Sequence, residues 1–146
     1  MRTTLITLAT FIAALALTTG ASADATSSRS TLTARSSSYG TILFDGRGFA
    51  LYAFTLDTAR RSNCSGPCAK AWPPYIGSSR ATAAIGVTKS RLGTIERSDG
   101  RLQVTYAGKP LYYYVGDRKP RQVLCQNVEE FGGRWRVVGP NGRVVR

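Results

Sequence analysis

A small, mainly β domain of two pseudo-symmetric β-hairpin repeats, with one short helical turn near Cys68–Trp72, is the fold the sequence predicts. Three observations carry this. The phrase Leu-Tyr-x-aromatic-x-x-Asp occurs twice, over Leu51–Asp57 and Leu111–Asp117, and the two leucines lie 60 positions apart. A motif repeated in so short a chain points to a duplicated unit. Short apolar runs alternate with Gly-containing turns, which is the pattern of strands and hairpins. Finally, each motif is followed by a cysteine and then a tryptophan: Cys64 and Trp72 after Asp57, Cys125 and Trp135 after Asp117.

The elements follow in chain order. Residues 1–23 read as a cleaved secretion signal: Arg2, an apolar run over Leu5–Leu17, then Ala21-Ser22-Ala23 for the peptidase. The run is shorter than the ~20 residues a membrane span needs. No transmembrane anchor is therefore expected after cleavage, and the protein is expected to be secreted, outside the cytoplasm. Residues 24–38 are Ser/Thr-rich with little apolar surface and are expected to form a flexible leader. The folded domain is expected over 39–146, with repeat 1 at about 39–76 and repeat 2 at about 93–146.

Thr41–Phe44 reads as a strand running into Asp45-Gly46-Arg47-Gly48, because Gly takes positive φ without steric cost. Phe49–Phe54 reads as the strand that returns. In the second repeat, Gly93–Arg97 and Leu102–Tyr106 flank the Ser98–Arg101 turn, and Leu111–Val115 follows the Ala107–Pro110 turn. Trp135–Val138 and Arg143–Val145 flank a Gly139-Pro140-Asn141-Gly142 turn. Pro67 stands where Pro suits a first helical turn, and Pro73-Pro74 stops the helix that begins there. Ser78–Gly86 is expected to be a loop.

Period-two alternation places Tyr52 and Phe54 on one face of their strand and Leu51 and Ala53 on the other. Tyr112 and Tyr114 oppose Leu111, Tyr113 and Val115 in the same way. Strands apolar on both faces are expected to be covered on both sides. Asp57 and Asp117 follow the strands, where Asp commonly bonds turn amides. Tyr52, Phe54, Asp57, Tyr112, Tyr114, Asp117, Trp72 and Trp135 are thus either scaffold or the lining of a pocket shared by the repeats.

The chain has no histidine, which excludes Ser-His-Asp and Cys-His catalysis and histidine-bound metals. Its 20 Lys/Arg and 8 Asp/Glu give a net charge of +12, and loss of Arg2 with the signal leaves +11. Such a balance concerns solubility and attraction to anions, not fold. Anionic cell-wall polymers are plausible partners. Nucleic acid is not expected, since the cations are scattered and form no stripe. Cys64 and Cys68 are spaced for a disulfide in an oxidising compartment. Cys125 is then a free thiol, or pairs with one of the other two. A three-thiolate soft-metal site would lack a fourth ligand, so no cofactor or metal is expected.

With these residues in place, the chain resembles a bacterial family of secreted or lipid-anchored repeat proteins marked by Tyr-x-(Phe/Trp/Tyr)-x-x-Asp. Tyr52-Phe54-Asp57 and Tyr112-Tyr114-Asp117 match the motif. Ser62–Pro74, Arg97–Gly100 with Val104–Tyr106, and Gly132–Trp135 match the intervening segments. The signal here lacks the acylated cysteine of lipoprotein relatives, and Cys125 lies outside the family pattern. The resemblance implies a β-rich protein outside the cytoplasm and brings no established activity. Some relatives accompany copper or electron-transfer modules. The leading expectation is a non-enzymatic binding or structural module. The alternatives are a redox or copper-associated protein using Cys64, Cys68 and Cys125, and a hydrolase using Asp57 and Asp117.

Overall fold

The computed structural model describes residues 30–78 and 81–146. The expected signal and its cleavage site, and the first six residues of the expected leader, lie outside that range. The described fold is mainly β, with nine strands and one short α-helix in three three-stranded sheets. Strand β1 (Thr31–Ser37) pairs antiparallel with β2 (Gly40–Asp45), from Leu32↔Asp45 to Ser37↔Gly40. The equivalent hairpin of the second repeat joins β5 (Leu92–Glu96) to β6 (Leu102–Tyr106).

The expected leader is corrected here, because β1 occupies most of its described part. Leu32 is fully buried and Thr33 nearly so. One leucine and a six-residue backbone ladder suffice to order the segment, since ladder bonds do not depend on large side chains.

Between the hairpins, β3 (Tyr52–Phe54) is followed by helix α1 (Pro67–Ala71) and β4 (Thr82–Ala83). Pro67 occupies the start of α1, and the Trp72 amide donates to the Cys68 carbonyl at 2.8 Å. The expected loop over Ser78–Gly86 contains β4, a two-residue strand parallel to β1. After β6 come β7 (Lys109–Pro110), β8 (Val128–Glu130) and β9 (Gly133–Val137). The expected Leu111–Val115 strand is reduced to isolated bridges at Tyr112, with Val115 51% exposed. Arg143–Val145 is held by the Val138↔Val144 bridge, with the Gly139 amide donating to the Arg143 carbonyl and the Val145 amide to the Val137 carbonyl.

Two apolar cores lie on the two faces of β3 and of the extended segment at Leu111-Tyr112, in keeping with alternation. Tyr52, Phe54 and Tyr112 enter one core with Ile42, Phe44, Trp72 and Trp135. Leu51, Ala53 and Leu111 enter the other with Leu32, Leu43, Val104 and Tyr106. Residues 42–44 alternate in the same way, with Ile42 and Phe44 in the first core and Leu43 in the second.

Candidate functional site

The two motifs meet at Tyr52 and Tyr112. Each backbone amide donates to the other's carbonyl at 2.9 Å, so the tyrosines face one another at the centre of the molecule. From this pair the contacts cross between repeats. The Tyr52 hydroxyl donates to Asp117 Oδ2 at 2.6 Å, and the Tyr112 hydroxyl donates to Asp57 Oδ2 at 2.6 Å. Each tyrosine therefore satisfies the carboxylate of the opposite copy.

The second oxygen of each carboxylate closes its own loop. Asp57 Oδ1 accepts from the Asn63 amide at 2.7 Å, just before Cys64. Asp117 Oδ1 accepts from the Leu124 amide at 3.0 Å, just before Cys125. Each carboxylate thus accepts from a loop amide of its own copy and from the tyrosine of the other, a partner that spacing alone could not give. Burial raises the pKa of both carboxyls, against the lowering effect of these hydrogen bonds. Burial first, and the adjacent carboxylate second, raises the Tyr52 and Tyr112 hydroxyls as well.

The backbone crosses in the same sense. Strand β3 pairs with β9, setting Tyr52 opposite Val137 and Phe54 opposite Trp135. The second motif pairs with the segment around Trp72: Tyr112 bridges Pro74, and the Val115 amide donates to the Ala71 carbonyl at 3.1 Å. Each motif therefore lies against the tryptophan segment of the other copy.

The rings follow. Trp72 and Trp135 stack with centroids 4.0 Å apart and planes 4° apart. Phe54 stacks on the outer face of this pair against Trp135 at 4.2 Å, and Tyr114 lies against Trp72 at 4.7 Å. Tyr52 and Tyr112 meet the edges of Trp72 and Trp135 at 5.2 and 5.1 Å. T-shaped and offset stacked pairs are the favoured aromatic arrangements and add to area burial. Both indoles turn toward Glu130: Trp72 Nε1 donates to its carboxylate at 2.7 Å and Trp135 Nε1 to its carbonyl at 3.3 Å.

The sulfurs divide. Cys64 and Cys68 form a disulfide with Cα atoms 5.3 Å apart, fixing the turn before Trp72. Cys125 is a half-buried free thiol beside Tyr114, its pKa raised chiefly by burial. Two of the three sulfurs of the soft-metal reading are thus bonded to each other.

Sequence reasoning missed three participants. Arg97 is 8% exposed and donates to Ser62 Oγ, Gln103 Oε1 and the Cys64 carbonyl at 2.6–2.7 Å. Gln103, fully buried, donates onward to the Leu111 carbonyl at 2.8 Å. Buried Asp45 accepts from the Arg47 and Phe49 amides and, across the repeats, from the Tyr113 hydroxyl at 3.0 Å. Only Asp45 had a signal, its place at the head of the Asp-Gly turn. Gln103 sits on β6 and Arg97 just after β5, and alternation along a strand does not tell a buried polar residue from an exposed one.

A family model described as a secreted repeat of unknown function matches residues 33–75 and 93–139. The two matches fall on the two units whose contacts cross. No curated protein and no solved structure matches the chain.

Proposed function

The chain belongs to the family of secreted repeats of unknown function, and from that premise we propose that it is a non-enzymatic binding or structural module, released outside the cytoplasm by cleavage after Ala23, whose duplicated motif is its scaffold. One observation carries this reading. Both oxygens of Asp57 and of Asp117 already accept hydrogen bonds, from the tyrosine of the other repeat and from a loop amide. Carboxylates held in this way brace the fold, whereas a glycosidase pair needs one free carboxylate and one acid facing substrate.

Replacing Asp57 and Asp117 by alanine tests the proposal. Each variant should lower the unfolding temperature, and any binding found should fall with it. A fully folded Asp variant that had lost a defined turnover would identify an enzyme instead. The redox reading keeps one supporting feature, the Cys125 thiol beside Tyr114. Intact mass and thiol titration of the native secreted protein bear on it. An N-terminus at Asp24, one disulfide, one thiol and no copper agree with the scaffold reading, and stoichiometric copper would favour the alternative.

A further inference from the structure

Resting on the reading of the protein as a binding module, we infer that the hollow between the Ala107–Lys109 turn and the Pro140–Arg143 turn binds a linear polyanion of phosphodiester-linked polyol units. Lys109, Arg143 and Arg146 line this hollow, of about 670 Å³, together with Asn141 and Val144. Arg91 stands at its rim, its guanidinium donating to the Asn141 carbonyl. The walls are tied together. The Tyr106 hydroxyl donates to the Pro140 carbonyl at 2.8 Å, and a Cβ at Gly142 would stand 2.4 Å from the Ala107 Cβ.

Among the described residues, none of the four cations pairs with an Asp or Glu side chain. Among the described residues, the ion pairs involve Arg47, Arg97, Arg101 and Arg134 only. No carboxylate side chain lines the hollow. Asp57, Asp117 and Glu130 are spent on Tyr112, Tyr52 and Trp72. Like charges gathered round a hollow raise its potential and concentrate anions there. Arginine forks suit phosphate oxygens in particular.

The neighbouring surface narrows the ligand. Through Lys109 and Val144 the hollow continues into a second one of about 400 Å³, whose wall carries Ala53, Phe54, Ala59 and Pro110 together with Thr55, Thr58 and Asp57. Both Asp57 oxygens already accept hydrogen bonds, from Tyr112 and from the Asn63 amide. A chain that alternates phosphate with uncharged, carbon-rich units matches a cationic hollow joined to a mainly apolar one. Single-stranded nucleic acid fits less well, because Phe54 is 5% exposed and offers no platform for base stacking. A bilayer fits less well too. Membrane docking pairs cations with protruding apolar side chains, and none of the large exposed apolar residues lines either hollow.

The test is isothermal titration of the full chain with poly(glycerol phosphate) over a range of salt concentrations. Single-stranded DNA and anionic phospholipid vesicles form the other arms. Lys109→Ala/Arg143→Ala should weaken polymer binding about tenfold and reduce the slope of log K against log salt by about 2, one per cation. Arg118→Ala/Lys119→Ala removes the same charge from another exposed site and should change binding by less than about threefold. Arg143→Ala alone, on an exposed turn, keeps the test valid if the double variant unfolds. Equal losses in both double variants, no binding at all, tighter binding of DNA, or binding of vesicles alone would each overturn the inference. Cleft variants should unfold at the wild-type temperature and the Asp variants below it, so failure here is distinguishable from failure of the scaffold reading.

Discussion

Removing the Tyr52 hydroxyl should cost more stability than removing that of Tyr112, although the two hydrogen bonds have the same length. Tyr52 is fully buried, and its acceptor Asp117 is 6% exposed. Tyr52→Phe deletes a 2.6 Å charge-assisted bond and leaves an ionised, largely buried carboxylate one partner short. Hydrogen bonds to charged groups contribute about 1.5–3 kcal/mol net, and the stranded partner pushes the cost to the upper end. A loss of about 2–3 kcal/mol is a large share of the ~5–15 kcal/mol that holds a domain together. At roughly 4 °C per kcal/mol it lowers the unfolding temperature by about 10 °C. Tyr112→Phe acts on Asp57, which is less buried, and should cost about 1–2 kcal/mol.

Urea unfolding of Tyr52→Phe, Asp117→Asn and the double variant gives the coupling, expected at about 1–2 kcal/mol. The carboxyl adds a pH signature. Burial raises its folded pKa, so its contribution is fully present at low pH and is lost as pH rises through that pKa. Losing the Tyr52 bond raises the pKa further, because that bond lowers it. The cost of Tyr52→Phe should therefore shrink on acidification through the carboxyl range. A Tyr52→Phe loss under about 0.5 kcal/mol, no coupling, or a reversed order of the two tyrosines would refute the reasoning.

Two further outcomes follow from the same structure. Burial raises the hydroxyls of Tyr52, Tyr112 and Tyr113, and pushes Tyr75 up to about 12. Above pH ~10 the unfolded chain loses these protons and the folded one keeps them, so stability should fall by about 5 kcal/mol per pH unit for four groups. Tyrosinate absorbance should then rise together with loss of circular dichroism in one alkaline transition, whereas ionisation of these tyrosines in a still-folded protein would contradict the burial. Leu32→Ala, in the segment whose composition suggests a leader, should cost about 2–5 kcal/mol in denaturant unfolding because Leu32 is fully buried; no change would mean that β1 is dispensable.

Much of this fold is legible in the sequence, and what is not has physical causes. The turns at Asp45–Gly48 and Ala107–Pro110, the helical turn at Pro67 and the two-faced first motif strand follow from glycine, proline and period-two alternation, whereas the second motif forms only bridges. Strand β1 fails those tests because its turn, Ser38-Tyr39, carries no strong turn residue ahead of Gly40. The duplication nevertheless contains it. Shifting the second repeat's Gly93–Arg97 strand back by the 60-residue spacing of the motifs lands on Thr33–Ser37, inside β1. Of the candidate site, the motif tyrosines, aspartates and tryptophans were legible as a set, whereas Arg97, Gln103 and the network joining them were not. Spacing along one chain says which residues repeat, not which copy answers which.

That distinction decides what the motif does. Had each tyrosine bonded the aspartate of its own copy, the two repeats could be separate small domains, each closing its own cysteine loop. Instead the hydroxyls, the strand pairings and the outer rings of the stack all cross. Neither half can bury its tryptophan without the other, since each indole is the other's stacking partner. A half-chain would expose an aromatic face and leave a carboxylate without its tyrosine, an arrangement that small units rarely survive. The duplicated phrase is therefore where the two repeats join. The surfaces free to evolve toward ligands are the ones the joint leaves uncommitted, and the cation-lined hollow beside Lys109 and Arg143 is such a surface.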